Sequence, residues 1–102
     1  MIDFLRQHQD RIAELCRHHR VSRLDVFGSA AVGEFDEQRS DFDFLVDFQD
    51  GYAGGPFRQY FDFLAALKLL LGREVDLVET RAIKNPYFAR AIDQTRSVLY
   101  AA

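Results

Sequence analysis

Residues 26–48 read VFGSAAVGEFDEQRSDFDFLVDF. Two patterns meet in this stretch. Val26 and Phe27 end an alternating run and are followed by Gly28 and Ser29, the signature of a strand that stops in a tight turn. From Asp41 the chain alternates again. Phe42, Phe44, Val46 and Phe48 fall on one face of a strand, and Asp41, Asp43, Leu45 and Asp47 on the other. Between Glu34 and Asp50 lie seven carboxylates and one base, Arg39, so this segment carries −6 within a chain of net charge −3. A dense patch of acid thus adjoins a turn whose geometry suits anions.

Working outward, Ile2, Leu5, Ile12, Leu15 and Cys16 have the spacing of one amphipathic helix over residues 2–19. Leu24 and Val26 place a strand over 21–27. Residues 49–55 hold three glycines and Tyr52, and are expected to be a mobile loop. Pro56 and Gly72 bracket a helix in the positions each favours. Its apolar stripe is read as Phe57, Tyr60, Phe61, Leu64, Leu67 and Leu71, with the aromatics assigned to core. A strand over 74–78, a helix over 86–93 and a strand over 97–100 complete the order α-β-β-α-β-α-β. That order predicts an α/β or α+β fold in a single domain spanning residues 1–102.

Composition excludes several classes. Hydrophobic residues make up 48% of the chain, enough for a core. No apolar run approaches the roughly 20 residues of a membrane span. The early acid Asp3 and the polar spacing after it do not fit a signal peptide. One cysteine allows no internal disulfide and points to a reducing, cytoplasmic setting. The net negative charge and the lack of a basic patch argue against direct nucleic-acid binding. Cys16, His18 and His19 share a helix, but their spacing matches no structural zinc pattern and Cys16 falls on the apolar stripe.

The acids carry the chemistry. Asp41 and Asp43 leave one face of a strand roughly 6.5–7 Å apart. Carboxylates held that close repel, and a hard divalent cation such as Mg²⁺ or Mn²⁺ would relieve the conflict. Asp76, the acid inside the apolar run EVDLVE, is the third candidate ligand, expected as a lone buried carboxylate in need of a partner. Gly28 lets the backbone approach a phosphate, and Ser29 adds a hydroxyl. A bare triphosphate would be repelled by the adjacent acids, whereas one carrying Mg²⁺ would suit both elements, as in phosphoryl or nucleotidyl transfer. Each part has a plainer reading: a turn that is only a turn, a solvated acidic face, a satisfied structural acid.

The combination of Gly28-Ser29, then SDFDFLVDF, then LLGREVDLVE, with IKNPYFARAI and SVLY beyond, resembles the minimal nucleotidyltransferases of the polymerase-β-like superfamily. The resemblance implies a small mixed β-sheet flanked by helices. It implies Gly28 and Ser29 as the phosphate-binding turn, and Asp41, Asp43 and Asp76 as catalytic, metal-binding carboxylates for two Mg²⁺ ions, with ATP as substrate. It further implies an antitoxin paired in a hetero-oligomer with a HEPN-class toxin, a helical ribonuclease. The antitoxin would transfer AMP to a tyrosine of that toxin and silence it. The chain's short length fits a protein acceptor, since there is no room for a second acceptor-holding domain. Two other readings stand beside this one: an antitoxin that masks its toxin without catalysis, and a transferase acting on a small molecule or RNA. The sequence departs from the family twice. The spacer from Ala30 to Ser40 has eleven residues where ten is usual, and Val32 stands where relatives often carry arginine. Arg39 lies nearby.

Overall fold

The computed structural model describes residues 1–33, 36 and 41–102. The alternating acid-rich run forms strand β2 (Phe42–Phe48), and the strand before the turn is β1 (Val21–Phe27). They pair antiparallel at the centre of a four-stranded sheet. β3 (Val75–Glu79) flanks β2 in parallel, and β4 (Ser97–Ala101) flanks β1 antiparallel, giving the order β3-β2-β1-β4. The mixed α/β class expected from the element order is the one observed. A parallel pair needs a crossover, here supplied by α4 (Gly55–Leu71) between β2 and β3.

Alternation along the strands splits the apolar residues between two faces. Leu24, Val26, Phe42, Phe44 and Val46 pack with Leu5, Ile12, Cys16, Phe63 and Leu67 from the N-terminal helices and α4, forming the main core. The opposite face carries a smaller cluster of Phe27, Leu45 and Ile92 under α5 (Pro86–Thr95). Cys16 is buried in the main core, and burial pushes its thiol up to about 12, so it behaves as a small hydrophobe rather than a ligand.

Three expectations are corrected. The N-terminal helix is two helices, α1 (Asp3–Gln7) and α2 (Gln9–His18). In a continuing helix the His8 amide would donate to the Phe4 carbonyl. Instead His8 Nδ1 donates to that carbonyl at 2.8 Å, and the His8 amide turns to Leu5. The apolar stripe of α4 is also misassigned at its start: Phe57 is 77% and Phe61 50% exposed, while Gln59 is buried. Gln59 belongs inside because its Nε2 donates to the carbonyls of His19, Arg20 and Gln49, which no apolar side chain could satisfy. Finally, the glycine-rich loop is tied down. Tyr52 donates its hydroxyl to Asp62 at 2.8 Å and stacks on His19, with ring centroids 6.0 Å apart. Among the described residues no helix is long and apolar enough to cross a membrane.

Candidate active site

β1 ends with Phe27 directly opposite Asp43 of β2. The next residue, Gly28, has φ 73° and ψ −149°, a conformation that disfavours any side chain. A Cβ there would sit 2.8 Å from Asp43 Oδ2. The glycine is therefore required twice, by the turn and by the close approach of a carboxylate. Ser29 opens a single helical turn, α3 (Ser29–Val32), closed by Gly33 in the left-handed region. The Gly28 N–H donates to Thr95 Oγ1 at 2.9 Å. This amide is thus engaged by the protein, and what the glycine gives the site is room rather than a free donor.

Asp43 also lies in register with Asp76 of β3 on its other side. Parallel neighbours are roughly 4.8 Å apart, closer than two acids on one strand. Burial, the neighbouring Asp76 charge, a carboxyl–carboxyl hydrogen bond to Asp76 and the Asp41 charge together push the Asp43 carboxyl up to about 6. Asp41 stands exposed just before β2. Asp76 was expected to be buried and is exposed instead. β3 is an edge strand, and Asp76 alternates with the buried Val75 and Leu77, so it faces the partly uncovered side of the sheet. Its partner is a second acid.

The pair opens into a cleft of about 550 Å³ walled by Phe27, Phe88, Tyr60 and Leu64. Phe88 meets Phe27 edge-on, with ring centroids 6.3 Å apart, and Tyr60 donates its hydroxyl to the Leu77 carbonyl. Among the described residues no three His, Cys, Asp or Glu side chains converge as a ready-made metal cluster. The donors that are present nevertheless fit a hard divalent cation. They are all oxygen, two of them are carboxyls set against each other so that the charge of one opposes that of the other, and they stand against a backbone kept free of side chain. The structure brings Gly28, Asp43 and Asp76 together, with Ser29 next in the chain and Asp41 at the strand mouth. Arg39 lies outside the described residues, and Val32 ends α3 half exposed.

Sequence reasoning did not find Thr95, Phe88 or Asp25. Asp25 is fully buried in β1, held by Arg23 at 3.0 and 3.1 Å and by Arg96 at 2.6 Å. An acid inside the apolar run RLDVF was the available signal, of the same kind that singled out Asp76.

Comparison with known proteins is consistent with this geometry. Residues 9–99 match the family model described as a nucleotidyltransferase domain. A Methanocaldococcus jannaschii protein named as a protein adenylyltransferase is 38% identical over 92 residues, covering 90% of this chain and 87% of its own. A solved minimal nucleotidyltransferase superposes with a TM-score of 0.76 at 33% identity, over 93% of this chain and 92% of the other. Two toxin–antitoxin structures share the fold. One, with AMP-PNP, gives a TM-score of 0.71 at 21% identity over 92% of this chain and 73% of the other. The second holds a tri-AMPylated Shewanella oneidensis HEPN toxin with its MNT antitoxin, and gives 0.66 at 18% identity over 96% and 73%. The chain belongs to the nucleotidyltransferase family, among its minimal members.

Proposed function

We propose that this nucleotidyltransferase is an antitoxin that transfers AMP from ATP to a tyrosine of a HEPN-class toxin. The observation that carries the reading is the register of Asp43 with Asp76 beside Gly28, at the mouth of one open cleft. The AMP-PNP and AMPylated-toxin complexes among the structural neighbours, and the protein adenylyltransferase among the relatives, support the choice of nucleotide and acceptor.

In this account Gly28 and Ser29 receive the β- and γ-phosphates, with the Ser29 hydroxyl as donor. Asp41, Asp43 and Asp76 would hold two Mg²⁺ ions, for which Mn²⁺ could substitute. When bound, Mg²⁺ neutralises charge on the phosphates and favours the ionised form of an attacking hydroxyl. Asp76, the exposed member of the pair, takes the proton from the incoming tyrosine hydroxyl. The phenolic oxygen forms a bond to the α-phosphorus. The α–β bridging bond breaks, and pyrophosphate leaves with the electron pair. Phe27 and Phe88 give the cleft an apolar wall beside the carboxylates.

Incubation with ATP, Mg²⁺ and the partner toxin tests this by intact mass. The wild-type chain should add one or more AMP units to the toxin, and Asp41→Asn with Asp43→Asn should add none. An unchanged mass shift with the double variant would refute these roles. The exposed Phe57 and Phe61 on α4 favour one other reading, a binder that masks the toxin. In that case the double variant would still neutralise the toxin in cells.

A further inference from the structure

The hydrogen bond from Gly28 N–H to Thr95 Oγ1 joins residues 67 apart and belongs to no helix or strand ladder. It is one of three successive ties between the end of α5 and the end of β1. Ile92 packs against Phe27 and Leu45, Thr95 holds Gly28, and Arg96 Nε donates to Asp25 Oδ2. Asn85 caps the other end of α5 by accepting from the Tyr87 amide at 2.9 Å. The helix is thus a fixed bar, and Thr95 is its contact with the head of the turn.

The direction of one amide sets the peptide plane between Phe27 and Gly28. A glycine moves readily between backbone states, so an untethered Gly28 would not hold φ 73° against the Asp43 carboxylate. We infer that Thr95 is a positioning residue of the nucleotide site: its hydroxyl locks the Gly28 peptide and thereby sets where Ser29 stands relative to Asp43 and Asp76. The inference rests on the reading of Gly28 and Ser29 as the phosphate-side turn. Thr95 itself touches neither nucleotide nor acceptor in this role.

A merely structural threonine would act through packing and move melting temperature alone. Thr95→Val keeps the shape and removes the acceptor, and Thr95→Ser keeps the acceptor and removes a methyl. The measurements are affinity for a fluorescent ATP analogue with Mg²⁺, hydrogen exchange of the Gly28 amide, and thermal unfolding. Leaving this partly buried amide without its acceptor should weaken nucleotide affinity about tenfold in Thr95→Val and speed Gly28 exchange. Thr95→Ser should stay within about twofold of wild type on both counts, because the hydroxyl is retained. Should Thr95→Val fail to fold, the ratio between Thr95→Ala and Thr95→Ser reads the hydroxyl instead. Wild-type affinity in Thr95→Val, or equal losses in Thr95→Val and Thr95→Ser, overturns the inference. A wild-type chain that binds no ATP sinks the nucleotide reading itself and the inference with it.

Discussion

Asp43 meets two demands at once. Its carboxyl is pushed from near 3.8 up to about 6 because burial and two acid neighbours oppose its charge. An acid with a raised folded-state pKa contributes stability that is fully present below its unfolded value and lost as pH rises through the folded value. For Asp43 that loss falls between 3.8 and about 6, so at neutral pH, without a divalent cation, the pair works against the fold. The full shift would amount to about 3 kcal/mol, and solvent screening at this half-buried site brings it to about 1 kcal/mol. Asp43→Asn should therefore raise stability by about 1 kcal/mol at about pH 7.5 in chelator, and match the parent near pH 4. Thermal unfolding at the two pH values checks this. A variant less stable than the parent at the higher pH would show that the pair is not in conflict. This conflict was legible in part. Same-face acids on one strand pointed to Asp41 and Asp43, whereas the closer pair is Asp43 with Asp76, across strands. Spacing along a strand is visible in a sequence, but the register between strands 33 residues apart is not.

At the level of elements, period-two alternation placed β1 and β2, and Pro56 and Gly72 marked the ends of α4, because both signals are local. What escaped depended on distant partners. Gln59 is buried by virtue of carbonyls on two other segments, and Asp25 by an arginine 71 residues away. The Asp25–Arg96 contact fastens α5 over the site-bearing face. Arg23 would still hold Asp25 if Arg96 were lost, and Arg23 is itself 44% exposed. Arg96→Ala should then cost about 2 kcal/mol, below the 3–5 kcal/mol of a buried charge left with no partner. Urea denaturation provides the measurement, with Arg81→Ala as a reference expected to cost under about 0.5 kcal/mol, since the Arg81 side chain that pairs with Glu79 is 73% exposed. A loss for Arg96→Ala no larger than that reference would mean Arg23 alone satisfies Asp25, and that α5 is held by packing.

For the whole molecule, strand order explains why so short a chain can assemble a site. The central strands β1 and β2 bring Gly28 against Asp43, the edge strand β3 adds Asp76 from one side, and α5 adds Thr95 from the other. The chain's net charge is −3, with seven carboxylates between Glu34 and Asp50. A bare triphosphate meets repulsion there, and one neutralised by a divalent cation meets ligands. The most direct test is calorimetric titration of the wild-type chain with ATP, with and without Mg²⁺, alongside an Asp43→Asn and Asp76→Asn double variant. The account predicts binding by the wild type only when Mg²⁺ is present, and none of that Mg²⁺-dependent gain in the variant. Equal ATP affinity with and without the cation, or a variant that binds ATP·Mg²⁺ as the wild type does, would contradict it.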